Sequence, residues 1–234
     1  MRLYHPRPTS VLAVYAHPDD ADVAAGGALA TFAREGASVH LVVVCQGDKG
    51  SHDSTEGVAL PEVRRAEIES AGALLGLASV QLLGIPDGAV TNDDALRSRL
   101  VGVIRDVRPD MVIGPDPTAV FFGGVYVNHR DHRETGWALL DAVAPAASMP
   151  AYYPECGPAH GVAVMLLSGT HEPDVVVDVT GAIDVKSAAV RAHASQVAGD
   201  AEAVDDAVRR RAAQTGREVG VRYGEAFRAL EFAR

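Results

Sequence analysis

An α/β fold, a mostly parallel sheet with helices on both faces, is what this sequence predicts, and three observations predict it. Short apolar runs rich in β-branched residues recur at 11–16, 39–45, 80–83 and 111–114, with the length and make-up of buried strands. Between them lie stretches of helical length at 23–35, 61–75 and 93–107. Strands alternating with helices in this way imply parallel strands joined by right-handed crossovers.

The run at 11–16 is bounded by Ser10 and by Pro18-Asp19-Asp20. Proline pushes the residue before it into extended backbone, so His17 ends the strand and the chain turns after it. The helix at 23–35 closes at Gly36; Gly26 and Gly27 inside it cost helix stability and so predict close packing on the sheet. They form no G-x-G-x-x-G, so a dinucleotide fingerprint carries little weight. The strand at 39–45 runs into the polar, Gly-rich loop 46–53, on the sheet edge that already holds His17. In the helix at 61–75, Val63, Ile68, Ala71, Leu74 and Leu75 share one side, while Arg64, Arg65, Glu67 and Glu69 line the polar side. The strand at 80–83 ends in a Gly-Ile-Pro-Asp-Gly turn, which sets Asp87 at the same edge.

Arg108-Pro109 stops the helix at 93–107, and a loop over 115–128 follows the strand at 111–114. His129 and His132 then open a helix at 135–143, whose Trp137, Leu139, Leu140 and Val143 are expected to pack inward. The stretch 144–158 is proline-rich and irregular. Two further strands are predicted at 162–167 and 175–179, with His171 between them near the pocket. Helices follow at 182–196, with His193 closing the first on its terminal carbonyls, and at 201–217, before a short strand or turn over 224–232. Nothing reads as a linker or a repeat, so one domain over 1–234 is expected.

Composition narrows the function. The formal charge is −10, and the basic residues form no run, which disfavours nucleic acid and anionic membrane surfaces as partners. Apolar runs are strand-length, far short of the roughly 20 residues of a membrane helix, and the first ten residues hold no cleavable apolar core. No membrane insertion and a cytoplasmic location are therefore expected. The two cysteines, Cys45 and Cys156, are too few for a disulfide framework or a thiolate metal site. Any metal must use histidine and carboxylate.

His17 and Asp20 stand three apart in a turn and can converge on one divalent ion. Asp19 points elsewhere, within reach of an activated water as a base. The ordinary alternative is that Asp19, Asp20 and Asp22 simply cap the following helix. One histidine of the His129/His132 pair arrives at the same sheet edge and completes two imidazoles and one carboxylate, a set that leaves a coordination position open, as in catalytic zinc sites. Zinc lowers the pKa of water from about 15.7 to roughly 7, and the second histidine is free to steady an oxyanion or protonate a leaving nitrogen. The chemistry this spells is metal-assisted amide hydrolysis.

The ordered set His17-Pro18-Asp19-Asp20, Gly47-Asp48-Lys49-Gly50, Arg64-Arg65-Ala66-Glu67, Leu83-Gly84-Ile85-Pro86-Asp87-Gly88, His129-Arg130-Asp131-His132, Asp178-Val179-Thr180 and His193-Ala194-Ser195-Gln196 resembles the PIG-L/LmbE-like family of zinc-dependent de-N-acetylases, over nearly the whole chain. The resemblance implies a Rossmann-like fold and removal of an acetyl group from an N-acetylated amino sugar or related small conjugate. It implies His17, Asp20 and His132 as zinc ligands, with Fe2+ as an alternative metal, and Asp19 as general base. His129 would steady the oxyanion or act as acid, oriented by Asp131, and Arg64 and Asp87 would hold the sugar. Ala21 stands where the family's first motif usually continues with Glu, and Val127 where mycothiol-pathway relatives carry a tyrosine. Two competing readings remain at this stage: a non-haem iron oxygenase using the same two-His-one-Asp set, and a binding protein that has lost turnover. The sequence leaves a homo-oligomer open.

Overall fold

The computed structural model describes residues 1–50, 59–197 and 201–232. Its frame is an eight-stranded sheet. Four parallel strands form one half, with β4 at the edge: β2 (Ser10–Tyr15), β3 (Ser38–Cys45), β4 (Ser79–Ile85) and β5 (Met111–Pro115), in the order β5-β2-β3-β4. The helices α1 (Asp20–Arg34), α2 (Leu60–Leu75) and α3 (Asp94–Val107) connect them. A short hairpin, β6 (Phe121–Phe122) and β7 (Tyr126–Val127), precedes α4 (Arg130–Val143). Then come β8 (Val164–Ser168), β9 (Val175–Asp178), α5 (Ile183–Ala192), α6 (Ala201–Arg217) and β10 (Gly224–Glu231). Strand β8 extends the sheet parallel to β5; β10 inserts antiparallel between β8 and β9, and the N-terminal β1 (Arg2–Leu3) pairs parallel with β9.

Strand β2 is apolar without alternation because both its faces are covered. Leu12 and Val14 pack with Leu96, Leu100 and Ile104 of α3 and Leu139 of α4, whereas Val11, Ala13 and Tyr15 pack with Ala25, Leu29 and Phe32 of α1 and Ile68 of α2. All the central strands therefore deliver their C-terminal ends, and the loops after them, to one edge.

Within α1 the close packing falls at Gly27, where a Cβ would lie 2.8 Å from Val179 Cβ and 2.9 Å from Glu225 Oε1. The backbone N–H groups of Gly27 and Ala28 donate to the two Glu225 oxygens, and the buried Lys186 ammonium bridges Glu225 and the Val23 carbonyl. At Gly26 there is only ordinary contact, 3.5 Å to Lys186 Cγ.

Several boundaries and faces differ from the expectations. Helix α1 begins at Asp20 rather than 23, because Asp19 already has helical dihedrals after the Pro18 turn. Helix α4 begins at Arg130 rather than 135, with extended His129 capping it. Helix α5 ends at Ala192, and His193 sits fully buried in the turn beyond, paired with Asp22 (Nε2 to Oδ2, 2.7 Å) and not on terminal carbonyls. The loop over 115–128 contains the β6–β7 hairpin, and the expected short strand or turn at the C-terminal end is an eight-residue strand. Trp137, expected inside, is 43% exposed. On α2 the faces are redistributed: Val63 and Leu74 are exposed while Arg64 is buried, drawn in by a carboxylate from β2's end. The proline-rich stretch forms two 3-10 turns, Ala146–Ser148 and Pro154–Cys156, gathered around buried Arg105. Part of the Gly-rich loop, 51–53, lies outside the described residues.

Candidate metal centre

The turn after β2 folds back on itself, so that the His17 backbone N–H donates to Asp20 Oδ2 at 2.7 Å. This brings His17 Nδ1 to 3.4 Å from Asp20 Oδ2. From the other side of β2, the first turn of α4 brings His132 Nε2 to 3.1 Å from Asp20 Oδ1 and 3.1 Å from His17 Nδ1. One donor atom from each of His17, Asp20 and His132 lies within 4.8 Å of the others.

The other ring nitrogens decide what faces the centre. His17 Nε2 lies 3.2 Å from an oxygen of Asp131, a fully buried carboxylate that also accepts from the backbone N–H groups of Gly88 (2.6 Å) and Val90 (3.3 Å). His132 Nδ1 lies 2.9 Å from Asn128 Oδ1, and the Asn128 amide is oriented by its Nδ2 donating to the Ala119 carbonyl at 2.8 Å. Both partners are acceptors, so the protons sit on His17 Nε2 and His132 Nδ1. Two lone pairs and a carboxylate then face each other across about 3 Å, which is stable only around a positive charge. The donor set fits a divalent ion of zinc type, with each imidazole steadied from behind by an acceptor.

The electrostatics agree. Where no ion is bound the same attraction is met by a proton: burial lowers the His17 pKa, but Asp20 and Cys45 outweigh it and the value rises to about 11, so a metal ion takes the place of the Nδ1 proton. Burial also works against the charge of Asp20, yet His132 and His17 hold its carboxyl well below the usual carboxylate range. The cluster demands a cation.

None of the three early carboxylates caps α1. Asp19 occupies the N-cap position without a side-chain cap bond; its Oδ1 meets Arg64 Nη2 at 2.5 Å. Among the described residues only that oxygen is taken, and Asp19 lines a cavity of about 420 Å³ together with Asp20, His132, Tyr15, Phe122 and Tyr126. His129 stands beside the cluster, its ring 4.9 Å from that of His17, with Nδ1 accepting from the Asp131 backbone N–H at 3.2 Å. Its proton is therefore on Nε2. Burial and the neighbouring His17 charge lower the His129 pKa.

The two residues implied as sugar holders meet other partners. Arg64 is buried against Asp19. Asp87 accepts from the backbone N–H groups of Gly47 (2.9 Å) and Lys49 (3.1 Å), which fixes the loop after β3. His129, Arg64 and Asp87 are not among the residues lining the cavity. His171 lies against Phe122, a residue of the cavity wall, with ring centroids 4.8 Å apart and tilted by 46°, and stays out of the metal cluster. Asn128 was not singled out in the sequence. The signal for it is physical: a histidine ligand needs an acceptor for its second nitrogen, and Asn128 lies one turn back from His132.

A parallel α/β sheet that gathers two imidazoles and a ligand carboxylate at its strand ends, with a second carboxylate one residue away, defines a metal-dependent hydrolase. More narrowly, the chain belongs to the PIG-L family, described as GlcNAc-PI de-N-acetylase, whose model matches residues 12–143. It is 30% identical over 224 residues to a diacetylchitobiose deacetylase of Thermococcus kodakarensis, covering 93% of this chain and 82% of the relative. It is 36% identical over 169 residues to a 1D-myo-inositol 2-acetamido-2-deoxy-alpha-D-glucopyranoside deacetylase of Saccharopolyspora erythraea, covering 62% of this chain and 59% of that one. The solved N,N'-diacetylchitobiose deacetylase of Pyrococcus horikoshii superimposes with a TM-score of 0.87 at 31% identity, covering 96% of this chain and 84% of that one. All three are deacetylases, and the oxygenase alternative draws no support from them.

Proposed function

We propose that this protein is a zinc-dependent de-N-acetylase that hydrolyses the acetamide of an N-acetylated amino sugar or a small conjugate of one. The observation that carries the reading is the meeting of His17, Asp20 and His132 donors within 4.8 Å, with an Asp19 carboxylate on the adjoining cavity wall of which one oxygen is taken among the described residues. The relatives act on N-acetylated sugars by name, which supports the substrate class.

His17, Asp20 and His132 would hold the ion, and zinc there would supply the Lewis acidity that lets water act as a nucleophile near neutral pH. Asp19 takes the water's proton as the attack proceeds, and Arg64 fixes its orientation through the 2.5 Å ion pair. His129, neutral with its one proton on Nε2, steadies the oxyanion by donating a hydrogen bond, and the leaving nitrogen takes up the proton that Asp19 removed from the water. Asp131 serves both histidines: its carboxylate sets the His17 tautomer, and its backbone N–H holds His129 Nδ1. Arg64 and Asp87 act on the sugar indirectly, the first through Asp19 and the second by shaping the Gly47–Lys49 loop. Free Cys45 and Cys156 suit a reducing cytoplasm.

The test is acetate release from a panel of N-acetylglucosamine conjugates, with protein stripped of metal and then reloaded with zinc. Release that returns only on reloading is the expected result. Stoichiometric zinc with no release from any conjugate overturns the reading.

A further inference from the structure

Helix α6 carries three arginines in a row, and it supplies a carboxylate to only two of them. Arg209 Nε donates to Asp205 Oδ2 at 2.6 Å and its Nη2 to Asp184 Oδ1 at 2.7 Å, while Arg210 Nη1 meets Asp206 Oδ2 at 3.4 Å. Each pairs with the residue four positions back, the spacing that brings opposite charges together on a helix. For Arg211 that residue is Ala207, and its other neighbours on the helix face are Val208, Gln214 and Thr215. Arg211 is exposed, and among the described residues it makes no ion pair or hydrogen bond.

Its place in the fold gives that free charge a use. Arg211 lines the cavity of about 420 Å³ that also holds Asp19, Asp20 and His132, and among the described residues there it is the only arginine or lysine. It lines the adjoining cavity of about 550 Å³ under α6 as well, so it stands on the wall the two share. The carboxylates of these walls are engaged elsewhere: Asp19 with Arg64, Asp20 with the two histidines, Asp116 Oδ1 with Thr118, and Glu225 with Lys186. The second Asp116 oxygen is buried. A guanidinium without an internal partner, beside a substrate cavity, presents a fork of N–H donors that fits an oxyanion. We propose that Arg211 is a specificity-determining residue: it pairs with a carboxylate or phosphate carried by the amino-sugar conjugate away from the amide, so that acidic conjugates are preferred over neutral ones. This rests on the amide-hydrolase reading above. The amide at the metal ligands and the anion at Arg211 then fix the conjugate at two points.

The experiment is calorimetric binding, to zinc-loaded protein, of glucosaminides that hold no amide to cleave, so that affinity is read without turnover. Carboxymethyl and 2-phosphoethyl glucosaminides are compared with the neutral methyl and carbamoylmethyl glucosaminides, at low and at high salt. At low salt an acidic member should bind about fivefold more tightly than the neutral ones, the upper end for one accessible ion pair, and which member gains tells carboxylate from phosphate. High salt should shrink the gain. Arg211→Gln should abolish it while leaving the affinity of the methyl compound unchanged. Ala207→Asp, which gives the guanidinium a carboxylate one turn back, should do the same. A gain below about twofold for both acidic members, well within the scatter of surface pairs, overturns the proposal. So does a gain that survives Arg211→Gln. Acetate release from the matching N-acetyl compounds is read separately: none from any of them counts against the amide-hydrolase reading and leaves the affinities to decide the role of Arg211.

Discussion

His17 and His132 each commit one ring nitrogen to a buried acceptor, and that commitment turns the other nitrogen into a ligand. The His17 acceptor, Asp131, is fixed by the 86–90 turn; the His132 acceptor, Asn128, is fixed by the Ala119 carbonyl. Removing such an outer partner typically costs 10–100-fold in metal affinity. Asn128→Leu is therefore expected to weaken zinc by about that factor, read by chelator competition, while Asn128→Asp, which keeps an acceptor, retains it. Equal loss in both variants would mean that Asn128 serves only packing. The ligand candidates were legible as a spacing, since His17 and Asp20 in a post-proline turn and His129 and His132 at a helix start each converge locally. The outer partner of His17 was not, because Asp131, the Gly88 N–H and His17 meet only once the strand order brings β4's turn and α4's first turn together; Asn128 lies one turn back from His132, but its aim is set by the Ala119 carbonyl. Arg64 shows the same limit: its place on a polar helix stripe predicts solvent, and only the Asp19 carboxylate from a distant turn explains its burial.

At the scale of elements, a buried charge holds a segment that cannot hold itself. Arg105 on α3 is buried and donates to the backbone carbonyls of Ala146, Ala147, Met149, Tyr152, Tyr153 and Gly157, so the proline-rich stretch is wrapped around a single guanidinium. Each buried carbonyl left without a donor costs about 1–3 kcal/mol. Arg105→Met should therefore lower stability by about 3 kcal/mol or more, seen in denaturant unfolding, with zinc affinity unchanged because the stretch lies away from the ligands. A loss under about 0.5 kcal/mol, the range of ordinary surface changes, would contradict this. On α1, Gly27→Ala forces a methyl into Val179 and Glu225 and should cost ~1–3 kcal/mol by the same measurement. The alternation of strands and helices over the first half of the chain was readable because β2, β3 and β5 are buried on both faces, while β4, at the sheet's edge, is largely half-buried or exposed and was legible only by its short apolar run. Less readable were α1's and α4's first turns, which are set by Pro18 and by the His129 cap, and β10, whose half-buried sequence gains its strand character from the two neighbours it pairs with.

For the whole molecule, the parallel strands bring every reacting group to one edge: His17 to Asp20 after β2, the Gly-rich loop after β3, Asp87 after β4, and the hairpin and α4 after β5. Crossover topology thus does for the site what no single motif does, by placing residues more than a hundred positions apart around one point. Among the described residues no helix is long and apolar enough to cross a membrane. The account's central claim is that Asp19 acts as base beside an ion held by His17, Asp20 and His132. The most direct measurement is the rate of acetate release per bound zinc in Asp19→Asn against the unaltered protein, with zinc content determined on the same samples. Undiminished zinc with turnover down by about 10²–10⁴-fold is the predicted result. Turnover within a few-fold of the unaltered protein at equal zinc content would contradict it and move the base elsewhere in the site.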